Sequence, residues 1–189
     1  GNIATNGDVT AETGKAVLNS KSGSVTMQNV TADQVVDIDA AQDITADGNL
    51  TSNNGDITLD AGGSITTNSI VNALNNVIAN ANDNIATNGD VTAQNGRAVL
   101  NSKSGSVTMQ NVAGNSEVDI NAAYDITAGG NLTSNNGDIT LDAGGSITTN
   151  SIVNALNNVI ANANGNIATN GDVTAETGKA VLNSKSGSV

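Results

Sequence analysis

The chain is one 82-residue unit copied head to tail without an insertion or deletion. Residues 1–82 and 83–164 agree at 70 of 82 positions, and 165–189 repeats 1–25 letter for letter. The phrase NNGDITLDAGGSITTNS, for instance, stands at 53–69 and again at 135–151. Copies that faithful are the mark of a stack, in which each layer meets equivalent neighbours and must therefore look like them. The differences between copies cluster. Five of the twelve form one run, Thr31-Ala32-Asp33-Gln34-Val35 against Ala113-Gly114-Asn115-Ser116-Glu117, which reads as a turn free to vary. The expected organisation is a single continuous array over 1–189, with internal repeats 1–82, 83–164 and a partial 165–189. Because Gly1 and Val189 both fall inside a repeat, the chain reads as an internal piece of a longer polypeptide.

Sorting the apolar residues uncovers a shorter period inside the unit. Ile3, Val25, Ile44, Ile65 and Ile85 form one column; Val9, Val30, Leu50, Ile70 and Val91 a second; Leu18, Ile38, Leu59, Ile78 and Leu100 a third. The 19- to 22-residue spacing within columns divides each unit into four coils. Each coil holds three short alternating pieces, such as SVTM, NLTS and DITLDA, which read as strands with one buried face. Clusters such as TNGD, SNNGD and DAGGS separate them and suit tight or left-handed turns, with Asp60 and Asp142 as turn residues. Together these predict a parallel β-helix, an all-β solenoid with three strands per coil. At about 4.8 Å per coil, about nine coils would span roughly 45 Å. Only SIVNALNNVIANAN imitates an amphipathic helix, and its place in the columns predicts strand, turn and strand instead. The same regular columns argue against a disordered low-complexity tail.

Composition narrows the functional classes. There is no Phe, Trp or Pro and one Tyr, so a narrow interior of Ile, Val, Leu and Ala is expected. Eighteen acidic against six basic residues give a net charge of −12, which disfavours nucleic acid and anionic membranes. The six cations, Lys15, Lys21, Arg97, Lys103, Lys179 and Lys185, recur at equivalent places in the repeat. No stretch reads as a membrane helix or signal peptide, and without Cys there is no disulfide framework or thiolate metal site. His is also absent, which removes the usual proton shuttle.

Catalysis would therefore rest on carboxylates. Asp37, Asp39, Asp43 and Asp47 lie close in sequence, as a polysaccharide-acting β-helix would need, but Asp39 becomes Asn121 and Asp47 becomes Gly129 in the second copy. Solvated turn carboxylates are the favoured reading. Calcium would want oxygen ligands in Gly-rich turns, yet the glycine-rich calcium nonapeptide does not occur and no phosphate loop is present. No catalytic, cofactor-binding or metal-binding residue is expected. Three sequons, at Asn29, Asn49 and Asn131, are weighed as glycosylation sites, but each is followed by a core residue, Val30, Leu50 or Leu132. Thr26, Thr45 and Thr66 should align as an outward ladder of the kind that ice-binding faces use, interrupted by Ala4 and Ala86, while Val71 interrupts another.

The phrases NGDVTA, NNGDITLDAGGSITT and GNLTSNNGDITL resemble the haemagglutinin-type repeats of the filamentous haemagglutinin family, large exoproteins of two-partner secretion, and the stalks of contact-dependent inhibition proteins. The resemblance covers essentially the whole chain. It implies a right-handed parallel β-helix forming the shaft of a secreted or surface-attached adhesin of a Gram-negative bacterium. Such a shaft would hold a distal binding or toxin region against a host or neighbouring cell, reached through regions outside this chain. The near-identical 82-residue copies depart from the degenerate repeats typical of the family and suggest recent duplication of a four-coil cassette. The alternative is a self-assembling extracellular filament or matrix component whose coil edges or sides join. No nucleic-acid partner and no membrane insertion are expected.

Overall fold

A computed structural model describes all residues from Gly1 to Val189. The chain winds through 27 short strands that sort into three parallel nine-stranded sheets, a β-solenoid of nine coils. Each coil contributes one strand to every sheet. Coil 1 supplies Ile3–Thr5, Val9–Ala11 and Ala16–Ser20 to the first, second and third sheets, and coil 2 supplies Val25–Met27, Val30–Ala32 and Val36–Ala40. Coils 3 to 9 begin at Ile44, Ile65, Ile85, Val107, Ile126, Ile147 and Ile167.

Register follows from the alternation of side chains across a strand. The first column runs Ile3↔Val25↔Ile44↔Ile65↔Ile85, as the sequence predicts. All variation in coil length falls in the corners. The Ala16–Ser20 and Val25–Met27 strands are joined by the four residues Lys21–Ser24, whereas Val36–Ala40 and Ile44–Ala46 are joined by three. Strand lengths barely change, so ladders stay in step while corners absorb the extra residue.

Seven side chains per coil point inward. In coil 2 these are Val25, Met27, Val30, Ala32, Val36, Ile38 and Ala40, all buried. Forty-four buried residues form one continuous apolar core along the axis. Each fully buried Ile, Leu or Val contributes about 1.5–3 kcal/mol relative to exposure. The coils of the interior are therefore well covered, while Ile3, Val9 and Leu18 in coil 1 and Val173 and Leu182 in coil 9 are only partly buried.

The structure corrects the second and third columns at one coil. The paired residues are Leu50↔Val71↔Val91 and Leu59↔Ala79↔Leu100, so Val71 and Ala79 occupy the core rather than Ile70 and Ile78. Ile70 is 47% exposed at a corner and Ile78 faces outward from the third sheet. SIVNALNNVIANAN is strand, turn and strand, with Val71–Ala73 and Val77–Ala81 in place of a helix. The slip has a simple cause. Ile70-Val71 and Val77-Ile78 offer an apolar residue at either parity, and only corner length decides which one turns inward.

Three smaller corrections follow from the same geometry. Val71 does not interrupt an outward ladder, because Asn72 holds that place between Thr51 and Thr92. Asp60 and Asp142 are not turn residues but outward positions within the strands Ile57–Ala61 and Ile139–Ala143. The variable run 31–35 is only partly a turn, since Thr31 and Ala32 belong to Val30–Ala32.

Nor do the corners use left-handed backbone: no residue has positive φ. Glycine is needed at some corners for close approach between coils. A Cβ at Gly62 would come within 2.2 Å of the Ala41 carbonyl oxygen in the coil before it. Where a corner has four residues, an inward Ser can brace it. Ser20 Oγ accepts from the Gly23 N–H at 3.1 Å and donates to the Gly1 carbonyl at 2.7 Å. Ser102 repeats this with Gly105 and Asp83 at 3.0 and 2.5 Å.

Candidate functional site

Outward polar residues stack as faithfully as the core. At the corner before the first sheet, Asn and Ser or Asp and Ser alternate from coil to coil, and at every step but Ser64 to Asn84 the side-chain oxygen accepts the N–H of the next coil. Ser24 N–H bonds Asn2 Oδ1 at 3.0 Å, Asp43 N–H bonds Ser24 Oγ at 3.3 Å, and Ser64 N–H bonds Asp43 Oδ1 at 2.8 Å. Amides stack likewise along the third sheet, where Asn80 donates to Asp60 at 2.8 Å, Asn101 to Asn80 at 3.0 Å and Asn121 to Asn101 at 2.9 Å. The corner ladder satisfies backbone donors that would otherwise be left open, and the amide ladder ties the side chains of successive coils together.

Of the four carboxylates that lie together in sequence, only Asp37 and Asp39 stay together in space. Asp37 and Asp39 share the outer face of Val36–Ala40, Asp43 caps the corner at Ser64, and Asp47 accepts from Asn68 at 2.8 Å at the next corner. The structure also brings Asp39 beside Asp60, one coil on and 21 residues away. Partial burial raises the pKa of Asp37, the charges of Asp39 and Asp60 raise it further, and Lys15 opposes the rise. In the second copy Asn121 stands where Asp39 does, and donates to Asp119 at 3.0 Å. No group of three or more acidic side chains is arranged to hold a metal ion.

The sequon asparagines serve the corner ladder. Asn29 donates to Asp8 at 2.9 Å and accepts from the Asn49 N–H at 2.8 Å. Asn49 and Asn131 accept from the N–H groups of Ile70 and Ile152, each at 3.2 Å. The residues after them, Val30, Leu50 and Leu132, are buried. The Thr ladder also forms, with Thr26, Thr45 and Thr66 in register between Ala4 and Ala86.

A feature the sequence left unplaced is the arrangement of charge on the third sheet. All six cations flank its strands: Lys15 and Lys21 bracket Ala16–Ser20 in coil 1, Arg97 and Lys103 frame the coil 5 strand, and Lys179 and Lys185 bracket Ala180–Ser184 in coil 9. Asp37 and Asp39 in coil 2, and Asp56 and Asp60 in coil 3, make the next two bands negative. Coils 6 and 7 match them with Glu117, Asp119, Asp138 and Asp142. Coils 4 and 8 carry no charge on this face, presenting Ile78 and Asn80, and Ile160 and Asn162. Two shallow depressions, of about 350 and 390 Å³, run from Lys21 to Lys103 and from Lys103 to Lys185 along the margin of the face. Their floors are Ala40 and Ala61 in one and Ala122 and Ala143 in the other. The groups present are amide, carboxylate and ammonium, suited to polar contact.

No family model, curated protein or solved structure matches this chain. No helix is long and apolar enough to cross a membrane.

Proposed function

We propose that the chain is the stiff shaft of a large fibrous exoprotein, secreted or attached at the surface of a Gram-negative bacterium, and that it carries a distal binding or toxin region away from the cell. The observation that carries the reading is continuity across the repeat boundary. Ile65↔Ile85 and Ile147↔Ile167 pair across the 82-residue junctions just as Val25↔Ile44 pairs within a unit. A stack with no seam gains length with each added copy, which is the property a shaft needs. The haemagglutinin-type phrases support the same reading, as does the use of outward Asn, Asp and Ser in ladders that hold coils together rather than in convergent sites. The shaft acts by geometry: it is not an enzyme, takes no cofactor, and meets the target cell through regions beyond this chain.

Antibodies raised against the 82-residue unit test the proposal on the producing cell. Immunogold label should lie outside the outer membrane. Deleting one whole unit should bring a tag at the distal end about 19 Å closer to the cell, four coils at about 4.8 Å each. Label confined to the cytoplasm, or a distal tag whose height ignores unit number, would overturn it.

A further inference from the structure

We propose that the outer face of the third sheet is a docking surface for a second copy of this chain, which lies alongside the first with its charge bands staggered. The inference goes beyond the shaft reading and needs only the coil stack. Along this face the bands of coils 1 to 9 run positive, negative, negative, neutral, positive, negative, negative, neutral, positive, with two charges in each charged band. The period is four coils, about 19 Å.

Such a pattern is self-complementary at particular offsets. Two parallel rods shifted by two coils set every positive band of the overlap against Asp56 and Asp60 or Asp138 and Asp142, four opposed pairs with no like pair. Shifts of none, one or three coils oppose like charges. An antiparallel pair with coil 5 against coil 6 also gives four opposed pairs and no like pair.

Two further observations favour a second copy as occupant. The face carries six basic and eight acidic residues, whereas the rest of the surface holds the other ten acidic residues and no base, so only this face can approach another copy without facing uniform repulsion. Band charge also survives the differences between copies. Asp39 gives way to Asn121, but Val35 gives way to Glu117 in the same coil, and Lys15 gives way to Arg97. A five-residue strand is about 17 Å wide, so a seven-coil overlap about 34 Å long buries about 1,100 Å² in total, enough for a weak specific interface. Opposed bands at the surface make it salt-sensitive.

Sedimentation of the purified chain over a range of concentration tests this at about 0.1 M salt, where the Debye length is about 10 Å, and at about 1 M, where it is about 3 Å. The expected result is a mass that rises with concentration at the lower salt and returns to the monomer at the higher. Arg97→Gln with Lys103→Gln removes the middle band, and with it two of the four opposed pairs, and should weaken the association about tenfold or more. Thr66→Glu with Thr92→Glu changes net charge equally on the other two sheets and should leave it intact. All four side chains lie on the outside, and far-ultraviolet circular dichroism confirms that each variant folds. A wild-type chain that stays monomeric at both salts, or association that is as strong in the Arg97/Lys103 variant as in the wild type or that persists at about 1 M salt, would overturn the proposal while leaving the shaft reading intact.

Discussion

Replacing Thr67 by Val should make the stack more stable, because the hydroxyl it removes is buried with nothing to bond. Thr67 ends the strand Ile65–Thr67, is 1% exposed, and its Oγ1 has no hydrogen-bond partner. Thr87, its register partner in the next coil, is in the same position. Folding therefore strips water from two stacked hydroxyls and returns nothing. An unpaired buried hydroxyl costs about 1–3 kcal/mol in proteins, and Val keeps the branched shape while putting a methyl in its place. The substitution should add about 1–2 kcal/mol, or roughly 2–8 °C in melting temperature for a chain of this size. Thr149 is the same residue in the second copy, 1 unit and 82 residues away, with the same unpaired oxygen. The two sites share no partner, so the gains of Thr67→Val and Thr149→Val should add. Guanidinium denaturation followed by circular dichroism reads the effect as a shift in midpoint at constant slope. A midpoint that stays put or falls would mean that the hydroxyl is satisfied, and the inward placement of the Thr67 column would be wrong.

Other consequences of the fold can be checked in the same assay. Val71→Ser should cost about 2 kcal/mol or more, whereas Ile70→Ser should change stability by less than about 0.5 kcal/mol; equal losses would contradict the corrected register. Leu100→Ala, beside Ala79 in the core column, should cost about 2–5 kcal/mol, because a neighbour that small cannot fill the space. Gly62→Ala should lower the midpoint by forcing a Cβ against the Ala41 carbonyl, and a neutral result would show that the coils can separate there. For pH, burial and the charges of Asp39 and Asp60 hold the folded-state pKa of Asp37 above 3.8, so folding disfavours its charged form. That penalty is complete above the raised pKa and vanishes as pH falls below 3.8, so Asp37→Asn should stabilise at neutral pH and give no gain in strong acid. A gain of equal size at both pH values would refute the electrostatic cause.

How far the sequence reads ahead of the structure depends on how each residue announces its parity. Ile3, Val25 and Ile44 sit alone among polar and small neighbours, so their columns are legible and the solenoid follows from them. Ile70-Val71 and Val77-Ile78 are adjacent apolar pairs, and no pattern of period two can choose between members of a pair. Thr67 and Thr87 were illegible for the opposite reason, since a Thr at an inward position looks like every outward Thr around it. Asp43 and Asp47 part from Asp37 and Asp39 because closeness along the chain is not closeness in a solenoid: a residue's stacking neighbour lies about one coil away, as Asp60 does for Asp39. The spacing of the cations was visible, but their common face was not. Lys15 and Lys21 flank one strand only once Ala16–Ser20 is known to be that strand.

The central claim is that these residues form a seamless stack whose length is set by the number of units. Small-angle X-ray scattering on chains carrying one, two and three further 82-residue copies tests it most directly. The account predicts a constant cross-section and a maximum dimension that grows by about 19 Å per copy, four coils at about 4.8 Å each. A cross-section that swells with each copy, or a length that grows by less than half that step, would contradict it.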